Sequence, residues 1–406
     1  MSYELAPEHE QFRRTVRDFA EKEVAPHAAQ WDKDHHFPVD LVQKMGDLGW
    51  FGLTAPEEYG GAGLTGEEGG FTSLCIAIEE LGRVDQSIGI TLEAAVGLGI
   101  NPLLTYGTDE QKQTWLPDLV AGRTLAGFGL TEPGGGSDAG ATRTRAELRD
   151  GEWIVNGSKQ FITNSGSEIT SVVNVTARTG SLTTGSSTTG KEKPEISTII
   201  IPAGTPGFIA EKPYDKLGWH ASDTHPLSFE DVHVPEANLL GQRGRGYAQF
   251  LATLDDGRVA IAALAVGCIQ ACLDMSLQYA NDRETFGVPI GRKQGVAFQI
   301  ADLEVMLHAS RLLTYRAAAM KDAMAAAGSG PSMAAFKQAA SIAKLYTSEA
   351  AVTATRIATQ VFGGYGFMEE YPVARFYRDA KILEIGEGTS EVQRMLIARG
   401  LGLPVE

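Results

Sequence analysis

The sequence predicts a multidomain α and β protein in which a helical domain is followed by a β domain and then by a second helical domain. Three observations predict it. The chain has 406 residues, more than one domain ordinarily holds. Apolar spacing is helical at both ends and gives way to short β-branched runs in the middle. No regular strand–helix alternation runs through the chain, which argues against a parallel, dinucleotide-binding sheet. The expected domains are residues 1–124, 125–238 and 239–406.

In the first domain, Phe12, Val16, Phe19, Ala20 and Val24 fall on one helical face. Helical patterning breaks at Gly60-Gly61-Ala62-Gly63, resumes over Ser73–Leu81 and continues to about residue 120. From about residue 125, glycine, threonine and serine rise. Trp153–Val155, Val172–Val175, Thr198–Ile201 and Leu227–Val234 read as strands, with turn residues at Asp150-Gly151 and Asn156-Gly157. Thr179–Lys193 reads as an exposed loop rich in Thr, Ser and Gly. Beyond residue 240 the helical period returns: Val296, Ile300, Leu303 and Leu307 make one face, and residues 333–362 form an alanine-rich helix whose small side chains let neighbours approach. No internal repeat is present.

Composition narrows the function. Hydrophobic residues are 43% and charged residues 21%, ordinary for a globular protein and unlike disordered, collagenous or coiled-coil chains. The 35 basic and 51 acidic residues give a net charge of −16, which on average repels nucleic acid and anionic membrane. A local basic pocket for an anionic ligand remains compatible with it. The three cysteines, Cys75, Cys268 and Cys272, cannot build a disulfide framework, and the last two read as core. The first residues show no basic stretch followed by an apolar one, and no apolar run is expected to reach the roughly 18 to 20 residues of a membrane helix. These features predict a cytoplasmic, reduced protein without a membrane or nucleic-acid partner.

Four segments could carry chemistry. Gly129–Gly140 has three consecutive glycines beside Thr131 and Ser137, so its backbone N–H groups could meet a phosphate or a flat ring; it could equally be a plain turn. In Lys159–Gly166, Phe161 could cover a ring while Thr163 bonds its edge. Gln360–Phe367 closes the alanine-rich helix with glycines, as a stop or as backbone offered to a pyrophosphate. Glu387, flanked by Gly386 and Gly388, could reach into a cavity where burial raises its pKa toward that of a useful base. His220, Asp223 and His225 read as a polar loop rather than a metal site, and Gly241–Gly246 as a basic turn.

Together these segments resemble the acyl-CoA dehydrogenase family over nearly the whole chain. Gly129–Ala141 fits one family signature, and Gln360–Asp379 fits another at Gln360, Gly363, Gly364, Gly366, Glu370, Arg375 and Asp379. Tyr377–Arg399 and Leu254–Arg258 are most similar to short- and branched-chain members. The resemblance implies a middle antiparallel β-barrel, a C-terminal four-helix bundle, FAD between them and partly against a neighbouring subunit, and a homotetramer built as a dimer of dimers. By position it assigns Phe128, Leu130, Thr131, Gly136, Ser137, Phe161, Ile162 and Thr163 to the flavin-ring contacts, with Ser137 also touching substrate. Arg283, Phe286 and Gln294 match the stretch that reaches a neighbour's FAD, Arg283 at the pyrophosphate. Gln360, Gly363, Gly364, Thr389 and Glu391 match the remaining FAD contacts, and Asp255, Arg258, Gly386 and Gly388 the thioester site.

The implied reaction is α,β-dehydrogenation of a saturated acyl-CoA to the trans-2-enoyl-CoA. Glu387 takes the α-proton, flavin N5 takes the β-hydride, and electron-transferring flavoprotein accepts the electrons. A minority of members place the base where this chain has Gly257, which strengthens Glu387. Two departures stand out: Phe161 where Trp is frequent, which loses an indole N–H, and Gly386 where Tyr is frequent, which should widen the pocket. Small residues in the Leu92–Gly97 stretch, expected at the pocket floor, and the lack of an Arg there point to a short to medium, straight or branched, uncharged acyl chain. The rivals are a flavin oxidase or monooxygenase of the same fold, and a non-catalytic scaffold or DNA-protecting member.

Overall fold

The structure is a computed structural model that describes residues 5–64, 66, 68–182, 193–325 and 330–405. The N-terminal helices are α1 (Pro7–Phe19), α2 (Ala28–Asp34), α3 (Val39–Asp47), α4 (Gly70–Val84), α5 (Gln86–Glu93), α6 (Asn101–Tyr106) and α7 (Asp109–Val120). Pro7 and the acidic Glu8 and Glu10 favour the start of α1. Val16, Ala20 and Val24 are fully buried and Phe12 and Phe19 pack against the same core, the face read from their spacing. Thr108 and Gln111 close a reciprocal cap on α7. Between α5 and α6 the chain widens into a π-helical stretch, Ala94–Ile100, a feature that recurs at functional sites.

The middle of the chain forms β1 (Leu125–Gly129), β2 (Arg145–Arg149), β3 (Glu152–Thr163), β4 (Thr170–Leu182), β5 (Lys193–Pro202), β6 (Phe208–Ala210), β7 (Thr224–Pro235) and β8 (Leu239–Leu240). They make one sheet in the order β6-β7-β3-β2-β4-β5-β8, with β1 beside β4. The four runs read as strands lie in β3, β4, β5 and β7. Pairing is antiparallel except for β1 with β4 and a short parallel contact of β2 with β4. The expected loop at Thr179–Lys193 is corrected at both ends: residues 179–182 extend β4, where Gly180 pairs with Glu195 of β5, Lys193 begins β5, and residues 183–192 lie outside the described residues. Inward side chains such as Trp153, Val155, Val173, Ile199 and Phe229 fill the sheet's own core.

The C-terminal part holds α8 (Gly246–Asp282), a small hairpin of β9 (Glu284–Thr285) and β10 (Val288–Pro289), then α9 (Gln294–Ala325), α10 (Met333–Phe362), α11 (Pro372–Ala380) and α12 (Ser390–Gly400). Buried alanines of α10, including Ala340, Ala343, Ala351 and Ala354, sit in the shared helical core with α8. Cys268 and Cys272 are free and buried there. One expectation is corrected. Gln86–Tyr106 and Gly246–Asp282 are long and apolar enough to cross a membrane, but their apolar windows are 72% and 83% buried inside the protein, as in core helices.

The junction of α11 with the other parts is strongly polar. Asp379 is buried, accepts the Trp219 N–H at 2.6 Å, and lies near Asp85 and Arg375. Burial, then the charge of Asp85, pushes its carboxyl up to about 7. A raised carboxyl contributes stability that is fully present below its unfolded pKa and is lost as pH rises through the folded value. Asp379→Asn, which keeps the acceptor oxygen, should therefore gain on wild type by about 1.4 kcal/mol per pH unit between pH 4 and 7. Urea melts of both proteins across that range check it, and a pH-independent difference would refute it.

Candidate active site

Glu387 sits in the turn between α11 and α12 with φ of 51°, a left-handed conformation that costs a non-glycine residue about 1–2 kcal/mol. The surroundings hold it there. Lys344 of α10, fully buried, donates from Nζ to the Gly388 carbonyl at 2.7 Å. Gln393 donates from Nε2 to the same oxygen at 3.0 Å and to the Glu387 carbonyl at 3.4 Å. Gly388 has φ of 94°, and a β-carbon there would strike Gln393 Nε2. Thr389 caps α12 by accepting the Val392 N–H at 3.3 Å, and Glu391 stands in the first helical turn.

The Glu387 side chain reaches α8 and lies over Gly257, where a β-carbon would collide with its Oε2. That oxygen is buried and meets no hydrogen-bond donor among the described residues. Burial pushes the carboxyl up to about 6, while the neighbouring Glu93 carboxyl and the charges of Lys344 and Arg258 restrain the rise. The group is thus mostly ionised at neutral pH yet basic enough to take a proton. Gly257→Ala should displace the carboxylate and lower turnover about 10²-fold, as small misplacements of a reacting group do, with the melting temperature nearly kept. Turnover within threefold of wild type would contradict this contact.

A cavity of about 620 Å³ adjoins this point, with Val96, Gly97, Leu104, Gly257, Ala260 and Leu74 in its walls. Gly97 and Val96 come from the π-helical stretch, the part of the expected pocket floor that lines the cavity. Its charged groups include Lys321 and Asp256, paired at 2.7 Å. Asp255 and Arg258 lie elsewhere on α8, ion-paired to each other, with Lys337 3.0 Å from Asp255. Beside Gly386, a β-carbon would meet nothing nearer than 3.5 Å, so its bareness leaves free space.

The loop after β1 is pinned from behind. Glu132 accepts from the Arg143 and Thr144 N–H groups at 2.7 and 3.0 Å and pairs with Lys159 Nζ at 2.8 Å. Lys159, fully buried in β3, also donates to the Leu130 carbonyl and to Thr176 Oγ1. Burial pushes its amine down to about 8, against the pull of Glu132. This leaves Gly136 and Ser137 exposed at the loop's tip and Thr131 half-buried, while Phe128 is buried against Phe250 with ring centres 3.8 Å apart. In β3 the register slips between Lys159 and Ile162. Phe161, at φ of 63°, therefore turns outward, 62% exposed and 5.2 Å from the Tyr214 ring, while Ile162 is buried and Thr163 half-buried.

Arg283, Gly363 and Gly364 meet in a second cavity, about 590 Å³, at the end of α10, with Tyr365, Tyr279 and Thr285. The Arg283 guanidinium is 5.7 Å from the Tyr365 ring centre, and β-carbons on both glycines would find open space. Phe286 is 95% exposed, and Gln294 and Gln360 are also exposed; none of these three is in the cavity wall. A guanidinium, bare glycine backbone and aromatic faces fit the diphosphate half of FAD. The exposed Phe161 beside the glycine loop fits a flavin ring. At the third expected cluster, His225 bonds Asp223 at 2.6 Å and the Glu211 carbonyl, and His220 bonds Asp32. No group of His, Cys, Asp and Glu among the described residues could hold a metal.

Sequence reasoning passed over Glu93, Lys344 and the Glu132–Lys159 pair. A signal existed for the lysines. Lys344 shares a helical face with the buried Ala340, Thr347 and Ala351, and Lys159 keeps the inward parity of Trp153 and Val155.

The descriptions of the acyl-CoA dehydrogenase N-terminal, middle and C-terminal domains match residues 6–123, 127–232 and 244–402. The chain is 46% identical over 401 residues to YngJ, a probable acyl-CoA dehydrogenase of Bacillus subtilis, covering 99% of this chain and 100% of that protein. It is 42% identical over 397 residues to the mitochondrial short-chain specific acyl-CoA dehydrogenase of Rattus norvegicus, covering 98% and 90%. The solved butyryl-CoA dehydrogenase of Megasphaera elsdenii superposes with a TM-score of 0.89 at 39% identity, over 99% of this chain and 100% of that one.

Proposed function

The chain belongs to the acyl-CoA dehydrogenase family, and from that premise we propose that it desaturates short to medium, straight or branched, saturated acyl-CoA thioesters, with Glu387 as the base. The observation that carries the reading is the Glu387 carboxylate held over Gly257 beside the 620 Å³ cavity. FAD is the family's cofactor, and when bound it accepts the β-hydrogen as hydride. Phe161 and the loop of Thr131, Gly136 and Ser137 are the residues placed to hold its ring, and Arg283, Gly363 and Gly364 to hold its diphosphate in a partner subunit's site.

The chain's own residues handle the proton. Glu387 takes the α-proton, and its backbone N–H donates to the thioester oxygen as charge builds there, a contact of the kind worth about 10²–10³ in rate. Lys344 and Gln393 fix that backbone by engaging the carbonyls beside it. Asp255, Arg258 and Ser137 serve the CoA thioester. Bare Gly97, Gly257 and Gly386 leave room around the α and β carbons.

Electron-transferring flavoprotein is the proposed acceptor, and the proposed assembly is a homotetramer. Phe298, Val305 and Leu312, seven residues apart, form an exposed apolar stripe on α9 suited to a neighbouring copy. Steady-state assays over a panel of saturated acyl-CoAs, with that flavoprotein or oxygen as acceptor, test the reading. Highest kcat/KM with short chains and little oxygen consumption are expected. Oxygen-driven turnover would mark an oxidase, and a monomer by light scattering would refute the assembly.

A further inference from the structure

Glu93 ends α5, just before the π-helical stretch, and its side chain is 0% exposed. Neither of its carboxyl oxygens meets an N–H or hydroxyl donor among the described residues, and neither does Oε2 of Glu387. The charged group acting on Glu93 is Glu387 itself. A lone buried carboxylate is too costly to persist, and two adjoining carboxyls cannot both ionise cheaply, so they titrate as a pair that shares one proton.

The surrounding charges decide where that proton sits. Lys344 from α10 and Arg258 from α8 both act on Glu387. Arg258 is also paired to Asp255, which Lys337 holds in turn. Among the described residues no cation acts on Glu93, and burial followed by the charge of Glu387 pushes its carboxyl well above the usual range. The lower-energy arrangement is therefore a neutral Glu93 beside an ionised Glu387. The neighbouring Gly97 makes room for it, because a β-carbon at that position would come within 2.9 Å of Glu93 Oε1.

We propose that Glu93 is a positioning residue for the base: its neutral carboxyl donates a hydrogen bond to the Glu387 carboxylate, keeping it ionised and aimed into the cavity. The inference rests on the assignment of Glu387 as the base. It gives the buried Glu93 carboxyl a purpose that core packing does not supply, since an apolar side chain would fill the same space without an orphaned carboxyl.

Two measurements test it on the intact holoenzyme. The first is the pH profile of kcat and of kcat/KM for wild type, Glu93→Gln and Glu93→Leu. Leucine removes the donor, so Glu387 protonates more readily and the acid limb should move up by about one pH unit. Turnover should then fall about fivefold near pH 6, approach about a tenfold deficit at lower pH and recover at high pH, with KM little changed. Glutamine keeps an N–H donor and should keep the wild-type limb. An unmoved limb in Glu93→Leu, or an equal shift in Glu93→Gln, overturns the proposal.

The second is the infrared spectrum at pH 7, which needs neither turnover nor the leucine variant. In the difference spectrum of wild type minus Glu93→Gln a carbonyl stretch from a buried protonated carboxyl should appear, over the Asp379 band common to both, and the same stretch should be retained in Glu387→Gln. No difference between wild type and Glu93→Gln overturns the proposal even if Glu93→Leu does not fold. If wild type turns over no acyl-CoA at any pH, the function reading fails instead, and the infrared band still reports on Glu93.

Discussion

Replacing Glu387 by Gln should lower kcat by about 10²–10⁴, the usual cost of losing a general base, while the protein stays folded and yellow. Glutamine matches the shape of the carboxylate over Gly257, and the Lys344 and Gln393 contacts run to backbone carbonyls that the substitution leaves in place. The thioester oxygen would still find the backbone N–H of residue 387, so KM should change little. Loss confined to kcat would identify an interaction made in the transition state. A variant that keeps more than about a tenth of wild-type turnover would remove Glu387 from the role.

Lys159→Met should cost about 3–5 kcal/mol in unfolding free energy, since breaking a buried ion pair strands the other charge. Glu132 would keep its two backbone N–H donors but lose its cation. The carbonyl of Leu130 would also lose its partner, so the 130–137 loop should loosen and FAD should be lost more readily on dilution. The double variant Glu132→Leu/Lys159→Met should recover much of the stability, because a whole buried pair can often be replaced at little cost. Denaturant melts and flavin fluorescence after dilution read both effects. A single-variant loss under about 1 kcal/mol would show that the pair does not hold the loop.

The helical faces were legible because periodicity depends on local spacing. Val16, Ala20 and Val24 needed no partner to be recognised as an inner face, and the run Leu227–Val234 alternated clearly enough to be a strand. The parallel pairing of β1 with β4 was not legible, because it joins segments some forty-five residues apart, Leu125 with Thr170. The length of β4 was misjudged for a similar reason: Thr179 and Gly180 look like loop residues until β5 pairs with them.

At the site, Glu387 stood out through its two glycines and the motif around it. Glu93 did not. In the run Leu92–Val96 it looks like one polar residue in an apolar stretch, and it gains meaning only when α5 packs against α8 and the turn before α12. Lys344 was hidden the same way, in a helix where a lysine normally faces water. Arg283, Gly363 and Gly364 were each singled out from the sequence, but their meeting in one cavity depends on how the β9–β10 hairpin folds against the end of α10.

Anaerobic titration of the purified yellow protein with butyryl-CoA, and then with longer and branched saturated acyl-CoAs, tests the central claim most directly by following the flavin absorbance band. The band should bleach with a short-chain thioester in wild type and persist in Glu387→Gln. Yellow wild-type protein that bleaches with none of them would contradict acyl-CoA dehydrogenation as its function.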